Sequence, residues 1–231
     1  MIEKNIQWTP WYNVPYTKLA LHSRNYVTES SEIVSLWGSN FTDHAAEQTT
    51  PANRPLRVAG EGIQFDGSSD YLSVPYSTDF DFGTDDFTMD FWIKIDSSIS
   101  EFGTIFSNYN SSGVGMYCRM NNSKTEINFA IRYDTFGGIN IDRPEYGVWS
   151  HIAFVKTGNT ISGYLNGVFN TANAFAYGEH VPETGRSIDI GANWVGASHF
   201  YGNLDSFRIT KGKALWTVNF SDNLPQRNSY K

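Results

Sequence analysis

The acidic side chains of this chain are the first groups to consider as catalysts. A retaining glycosidase needs two carboxyl groups about 5 Å apart, one as nucleophile and one as acid. The segment Glu126-Ile127-Asn128 offers one carboxylate where two are required, and Asp90 has no acidic partner on its own side of the predicted strand. No Gly-x-Ser-x-Gly sequence frames a serine, and His151, beside Trp149, is interpreted as a structural histidine. The sequence therefore predicts a protein that is not an enzyme.

Aromatic side chains beside hydrogen-bonding groups could instead bind a sugar, because a ring stacks on the C–H face of a pyranose while its neighbour bonds the hydroxyls. Three pairs have this composition: Asp90 with Trp92, Tyr117 with Arg119, and Asn193 with Trp194. The alternative for each pair is that the ring fills the core or its edge. The sequence leaves both interpretations open.

Short β-strands are the elements expected to position these groups. Aromatic residues make up 16% of the chain and charged residues 18%, a balance that suits pleated, half-buried surfaces better than long helices. Apolar-alternating runs are separated by Gly, Asn, Asp, Ser and Pro, which is typical of a sandwich or barrel. The predicted strands are Leu19–Ser23, Ile33–Trp37, Gly62–Phe65, Tyr71–Val74, Phe87–Ile95, Thr104–Asn108, Val114–Met120, Glu126–Tyr133, Trp149–Thr157, Thr160–Leu165, Ser187–Ala192 and Phe200–Thr210.

Alternation and turn residues give further detail. In the run 87–95, the odd-numbered side chains are predicted to face the core, and Thr88, Asp90, Trp92 and Lys94 to face away from it. Asn166-Gly167 lies between two apolar runs and predicts a hairpin, because a type I′ turn needs positive φ twice. With a second turn at Gly158-Asn159, the segment 149–169 is predicted to form two hairpins in a row. The polar segment Thr42–Pro55 is predicted to be a long connection.

Residues 1–16 form a separate aromatic arm before the predicted sandwich of residues 17–231. The arm carries Trp8, Trp11, Tyr12 and Tyr16 among prolines and has no strand or helix period. An arm this apolar should not be left in water. It packs over its own sandwich or docks onto a partner or a neighbouring subunit, and the sequence leaves both open.

Charge and cysteine content narrow the partners. The net charge of −7, without a Lys/Arg cluster, argues against nucleic acid and anionic membranes. Cys118 is the single cysteine, so no intramolecular disulfide can form, and its apolar surroundings predict a small buried residue. No signal-peptide-like run opens the chain, and no stretch of about 18 apolar residues occurs. Folding in a reducing cytosol is expected.

Five ordered motifs resemble the laminin-G-like, concanavalin-type family. They are Leu19–Asn25 with Ile33–Trp37, Ile63–Gly67 with Asp70–Leu72 (similar to "FDG…DYL"), Phe87–Lys94 ("FT…W…K"), Trp149–Val155 with Tyr164–Gly167 ("W-x-H-x-A…Y-x-N-G") and Gly202–Ile209 ("G-x-I-D-x-F-R-I"). Each motif is weak alone, but five in order over about 19–220 are a strong signal. The resemblance implies a jelly-roll sandwich.

The resemblance also suggests a biological setting for the protein and a bound metal ion. The continuation Thr210–Phe220 is similar to the end of domains carried on phage tail and virion proteins. In the family, an Asp of the closing strand often holds a structural calcium ion, which points to Asp205, with Asp66 and Asp70 as possible additional ligands. The alternative is that Asp66 and Asp70 are turn-formers beside Gly67 and Ser68.

These expectations rank three functions. The first is a non-enzymatic phage virion protein, a capsid decoration or tail component made in the host cytoplasm. Its sandwich is displayed on the virion surface, associates with other virion proteins or with itself as a homo-oligomer, and either decorates the particle or binds a host-surface glycan. The second is a free bacterial carbohydrate-binding or adhesin domain that works outside the cell. The third is a glycoside hydrolase with an unfamiliar carboxylate pair.

Overall fold

The computed structural model describes residues 16–21, 26–28, 34–37, 44–109, 114–132, 136–174, 185–193 and 196–227. Within these residues the chain forms β-strands and three short 3-10 helices, Pro51–Asn53, Thr78–Phe80 and Ser221–Asn223, and none of its helices is long and apolar enough to cross a membrane. The strands are β1 Thr17–Leu21, β2 Tyr26–Thr28, β3 Val34–Trp37, β4 Ala46–Glu47, β5 Leu56–Val58, β6 Gly62–Asp66, β7 Leu72–Val74, β8 Phe87–Ile95, β9 Thr104–Ser107, β10 Gly115–Met120, β11 Glu126–Arg132, β12 Phe136–Asp142, β13 Ser150–Thr157, β14 Thr160–Leu165, β15 Val168–Ala174, β16 Ile188–Ile190 and β17 Tyr201–Lys211.

The strands form two antiparallel sheets, as the predicted sandwich requires. The eight-stranded sheet has the order β15-β14-β13-β8-β17-β6-β5, with β1 pairing beside β17. The nine-stranded sheet has the order β12-β11-β10-β9-β16-β7-β4-β3-β2. Two strands pair with the same edge of the long strand β17: β6 pairs with residues 201–204 and β1 with residues 207–210. The architecture is consistent with a jelly roll.

Both inner faces contribute to one apolar core. In β8 the predicted alternation is confirmed, since Phe87, Met89, Phe91, Ile93 and Ile95 are fully buried in it. Aromatic rings join the sheets across this core: Phe129 of β11 stacks on Phe154 of β13 at a centroid distance of 4.5 Å. Cys118 is also buried there, and burial raises the pKa of its thiol well above the usual value.

The two predicted hairpins are present. β13, β14 and β15 follow one another through turns at Gly158 and at Asn166-Gly167, where Asn166 has φ 50° and Gly167 φ 72°. Two consecutive positive φ values are what a type I′ turn requires. The Asn-Gly signal therefore identified the turn correctly.

Some strands were missed by sequence reasoning. β12 begins with Phe136-Gly137-Gly138, and glycines weaken the sequence signal for a strand. Gly138 is needed there because a Cβ atom would lie 2.8 Å from the carbonyl oxygen of Phe129. The short strands β2 and β5 also went unpredicted. The segment Thr42–Pro55 was predicted to be a connection, but its residues Ala46–Glu47 form β4 and pair with the sheet.

The outer face of the eight-stranded sheet is covered by the chain after β17. This C-terminal segment, residues 212–227, packs Ala214, Trp216, Phe220 and Leu224 against Ala153, Val155 and Tyr164 of β13 and β14. Its backbone is bonded to the sheet at several points: Leu215 donates to the Thr88 hydroxyl (2.9 Å), and Phe220 donates to the carbonyl of Gly167 (2.7 Å). Thr88 and Asp90 point away from the core as predicted, yet both are buried.

Candidate functional site

Asp90 lies in a buried ionic cluster instead of on an open sugar-binding face. It is 1% exposed, and its two carboxylate oxygens accept hydrogen bonds from Arg208 Nε (2.7 Å) and His151 Nε2 (3.1 Å). Burial opposes ionisation of Asp90, but the neighbouring Arg208 and His151 outweigh it, and the pKa of Asp90 is lowered. The expectation that Asp90 contacts a ligand is therefore corrected: its hydrogen-bonding capacity is used inside the protein.

A bulge in β17 brings Arg208 to this cluster. Asp205 pairs with Trp92 and Arg208 with Asp90, so three residue steps on β17 match two on β8. Ser206 has φ 52°, the left-handed conformation that a bulge often needs. Because side chains alternate along a regular strand, Asp205 and Arg208 would otherwise lie on opposite faces. The extra residue places both on the outer face and keeps Phe207 in the core.

Trp92 is also part of the covered face. Its indole N–H donates to the carbonyl oxygen of Pro225 (3.0 Å), and its ring meets the His151 ring edge-on at 5.5 Å. Above the cluster, Trp216 stacks on Phe220 with centroids 4.0 Å apart, and the guanidinium of Arg208 lies 5.4 Å from the Trp216 ring. Trp92 thus anchors the C-terminal segment, and Asp90 is buried in the cluster beneath that segment.

The outer face of the nine-stranded sheet is polar and holds the second predicted pair. A groove of about 320 Å³ runs between the loop at Phe102 and strands β10 to β12. The register places Arg119, Asn128 and Asn140 side by side across β10, β11 and β12. Neighbouring strands are about 4.8 Å apart, so three such side chains form a continuous row. The groove is lined by Phe102, Arg119, Asn121, Asn122, Asn128, Gly138, Ile139 and Asn140.

Arg119 is held over aromatic rings in this groove. Its guanidinium carbon lies 4.7 Å from the centre of the Phe102 ring and 4.4 Å from the centre of the Tyr117 ring. Tyr117 is in turn supported edge-on by Tyr109 at 5.6 Å. In the same row, the Asn128 amide donates to Asn140 Oδ1 (2.8 Å). The structure therefore brings Tyr117 and Arg119 together on a solvent-accessible face, beside amides that sequence reasoning did not select.

A second pocket, of about 430 Å³, lies on the same face. Glu47, Ser73 and Asp189 line it and share one cross-strand row with Ser107 and Tyr117. The Ser73 hydroxyl donates to Asp189 Oδ1 (2.7 Å), and burial raises the pKa of Asp189. Both polar residues were missed, although each stands between two apolar residues of a short strand. That pattern is the available sequence signal for a polar outer face.

Asp66, the last residue of β6, and Asp70 lie together at the turn that follows this strand. Asp66 Oδ1 accepts the backbone N–H groups of Ser68, Ser69 and Asp70 at 2.8–3.0 Å, while Oδ2 accepts both serine hydroxyls. Burial alone would raise the pKa of Asp66, but these hydrogen bonds hold it well below its usual range. Burial, reinforced by the charge of Asp66, raises the pKa of Asp70 to about 7. The pattern is that of a turn-forming aspartate.

Asp205 does not lie in one group with Asp66 and Asp70. It is fully buried on the outer face of β17, where its carboxylate contacts the Ser206 hydroxyl (3.3 Å) and lies 3.8 Å from Arg227 Nη1 of the C-terminal segment. Among the described residues, no three His, Cys, Asp or Glu side chains form a group that could hold a metal ion. Asp66, Asp70 and Asp205 therefore do not form one such group. Calcium binding at Asp66, Asp70 or Asp205 stays a prediction.

The remaining predicted residues lie at the edges of the described structure. Asn193 forms a turn in which its side-chain oxygen accepts the N–H of Ala197 (2.9 Å). Its predicted partner, Trp194, lies outside the described residues, as do Trp8, Trp11 and Tyr12 of the arm. Tyr16 is described: its carbonyl accepts the N–H of Lys211 (3.0 Å), and Lys213 Nζ lies 5.8 Å from its ring. This last residue of the arm is held against the sandwich.

Comparisons with known proteins agree with this architecture. The binding domain of Paraclostridial Mosquitocidal Protein 1 matches with a TM-score of 0.63 and 14% identity over 87% of this chain and 50% of that one. The receptor binding domain of botulinum neurotoxin D matches with a TM-score of 0.57 and 15% identity over 80% of this chain and 50% of that one. The botulinum neurotoxin serotype G binding domain matches with a TM-score of 0.55 and 14% identity over 67% of this chain and 40% of that one. The chain thus spans half or less of these structures, and such identities show the fold alone.

Sequence comparison supplies the family. No curated protein sequence matches the chain. A laminin-G model described as the concanavalin A-like lectin/glucanases superfamily matches residues 66–215, a stretch that runs from the Asp66 loop through β17 to the start of the C-terminal segment. Because this match covers well over half of the chain, the protein belongs to the concanavalin A-like lectin/glucanases superfamily.

Proposed function

We propose that the protein is a non-catalytic carbohydrate-recognition module that binds its ligand on the outer face of the nine-stranded sheet. The observation that carries the proposal is the difference between the two outer faces. The face with Asp90 and Trp92 is covered by the C-terminal segment, whereas the other face holds a groove with amides and with an arginine that lies over two aromatic rings. Sugar hydroxyls need many directed hydrogen bonds, which amide groups supply as both donors and acceptors.

The chemistry of the groove favours binding over hydrolysis. A glycosidase needs two carboxyl groups that flank the scissile bond. Among the described residues that line the groove there is no carboxylate, and its polar side chains are Arg119 and four asparagines. The three solved structures compared above are binding domains by their names, which agrees with a recognition role.

A panel of immobilised polysaccharides and glycans tests the proposal with the full chain. Wild-type protein is expected to bind at least one glycan, and the double variant Asn128→Ala/Asn140→Ala to lose most of that binding because the row of amides is removed. Asn223→Ala is the matched control, since this exposed asparagine lies on the C-terminal segment over the opposite sheet. Binding that survives in the double variant would place the ligand elsewhere and contradict this site.

We also propose that the module is displayed on a phage virion, with the arm of residues 1–16 as its anchor to other virion proteins or to a second copy. Support comes from the similarity of Thr210–Phe220 to the ends of virion-borne domains, and from the aromatic content of the arm. Mass spectrometry of purified particles should find the protein at a defined copy number. A protein that lacks residues 1–16 should fold and be missing from particles; unchanged incorporation would exclude the anchor. A free extracellular adhesin would bind the glycan and be absent from particles.

A further inference from the structure

Arg119 is the only charged side chain among the described residues that line the groove. It stacks over Phe102 and Tyr117, and within the described residues it takes part in no ion pair. Stacking occupies the faces of the guanidinium plane and leaves its N–H groups, which point outward along the edges, for other partners. This is an arginine fixed in place whose hydrogen-bonding edge is not used by a protein carboxylate.

Three other arginines of the described structure have hydrogen-bond partners within the protein. Arg208 is paired with Asp90, and Arg143 donates to the carbonyls of Lys124 and Pro144 while it stacks on Tyr146. Arg227 donates to the carbonyl of Gly60. An acidic protein with a net charge of −7 has carboxylates in excess over its cations. Of these four arginines, only Arg119 has no hydrogen-bond partner among the described residues, so its unused N–H groups in the groove are a specific feature and not a consequence of composition.

We propose that the groove recognises a glycan that carries carboxylate groups, such as uronic or nonulosonic acid units. Arg119 pairs with the sugar carboxylate through two parallel N–H donors, while Asn128 and Asn140 bond the hydroxyl groups of the same or the next unit. The inference rests on the proposed carbohydrate function and deepens it. An acidic peptide would offer the carboxylate but few hydroxyl groups for four asparagine side chains, so a glycan is the better complement.

Matched polymers test this proposal. Polygalacturonic acid is compared with its carboxyl-reduced, neutral form, with polysialic acid as a second acidic glycan and poly-glutamate as a non-sugar polyanion. The full chain is expected to bind an acidic glycan at least about tenfold more tightly than the neutral polymer, which lacks the carboxylate for a charge-assisted pair, and than poly-glutamate, which lacks the hydroxyl groups. The preferred acidic polymer distinguishes a uronic from a nonulosonic ligand.

Variants of Arg119 connect the preference to the groove. Arg119→Gln should weaken binding of the acidic glycan by about tenfold to a hundredfold, and Arg119→Lys should recover only part of it, because lysine lacks the two parallel donors. Arg57→Gln, on the edge of the opposite sheet, removes the same charge and should leave binding unchanged. Circular dichroism and thermal melts confirm that each variant is folded.

Three results would overturn the inference. Equal binding of the acidic and the neutral polymer, lost in Asn128→Ala/Asn140→Ala, would leave the carbohydrate function standing and remove the carboxylate. Equal binding of poly-glutamate would reduce the groove to a general anion site. Failure of every glycan, neutral or acidic, to bind would overturn the carbohydrate function itself, and the carboxylate preference with it.

Discussion

The indole N–H of Trp92 donates a hydrogen bond to the carbonyl oxygen of Pro225, which lies 133 residues later in the chain. This bond ties the middle of β8 to the end of the C-terminal segment. Between these points the same segment stacks Trp216 on Phe220 above the Asp90–His151–Arg208 cluster. The segment therefore closes a second, small core on the outside of the eight-stranded sheet.

Removing Trp216 should destabilise the whole domain. The Trp216→Ala variant loses the stack on Phe220 and lets water reach the buried ionic cluster, so we expect the free energy of unfolding to fall by about 2–4 kcal/mol. Chemical denaturation followed by fluorescence measures it. Val218→Ala, in the same segment but 72% exposed, should change stability by less than about 0.5 kcal/mol. Equal effects of the two variants would show that the segment does not cover the sheet.

Arg208 should matter far more for stability than a surface cation. Arg208→Met leaves the Asp90 carboxylate buried with only His151 beside it, and breaking such a pair costs about 3–5 kcal/mol. Lys18→Met is the control, because Lys18 and Asp79 form a 3.0 Å ion pair whose side chains are 34% and 40% exposed, and such pairs contribute about 0–1 kcal/mol. If the two substitutions cost the same in urea denaturation, the Asp90 cluster is not buried in solution.

The cluster also predicts acid sensitivity. Because the folded pKa of Asp90 is lowered, the cluster stabilises the fold above the pKa of an unfolded aspartate and this contribution is lost as the pH falls through the folded value. The loss of stability below about pH 4 should be smaller in an Asp90→Leu/Arg208→Met double variant than in the wild type, as measured by denaturation at several pH values. An identical pH profile in both proteins would exclude Asp90 as a source of the acid sensitivity.

Asp70 should change the stability with pH in the opposite direction to Asp90. Its folded pKa is raised to about 7, above the unfolded value, so the folded state binds the extra proton between about pH 4 and 7 and stability falls as the pH rises through that window. Asp70→Asn keeps an oxygen that can accept the Asp66 N–H, and removes the charge. The change in the free energy of unfolding that this substitution causes should be more stabilising at pH 8 than at pH 4, by about 1–2 kcal/mol. An NMR titration of the Asp70 carboxyl carbon gives the pKa directly, and a value near 4 would contradict the prediction.

The sequence was sufficient to predict which way the side chains of β8 point. Alternation in β8 gave both faces correctly, and the Asn166-Gly167 pair gave the turn between β14 and β15, because both depend on local geometry. The burial of Asp90 was not accessible in this way. It depends on a segment more than 120 residues away that folds back over the strand, and nothing local to β8 encodes that contact.

In the candidate site, too, the sequence predicted the contact within one strand and missed the contacts between strands. Tyr117 and Arg119 were selected because they are two residues apart on one strand and must share a face. Asn128 and Asn140 were missed, since their place beside Arg119 follows from the register of three strands, and β12 was hidden by Gly137 and Gly138. Arg208 and His151 lay inside recognised motifs, but only the bulge at Ser206 shows that Arg208 reaches Asp90.

Gly167 offers the sharpest test of how the C-terminal segment is held. It has φ 72°, and an added Cβ atom would lie 2.6 Å from the backbone nitrogen of Ser221 and 2.8 Å from the carbonyl carbon of Phe220. Gly147 has the same φ of 72° with no atom within 4 Å of such a Cβ. Alanine at either position therefore carries the same backbone strain of about 1–2 kcal/mol, and only Gly167→Ala also pushes the segment away.

We accordingly expect Gly167→Ala to destabilise the fold by more than Gly147→Ala. In hydrogen exchange, Gly167→Ala should also increase the rate at the amide of Phe220, which donates to the Gly167 carbonyl, and at the amide of Phe169, which donates to Asn219 Oδ1. Both amides should keep their wild-type protection in Gly147→Ala. Equal protection in the two variants would mean that the hairpin turn and the C-terminal segment do not touch, and that Trp216 and Phe220 must be held in place by β13 and β14 alone.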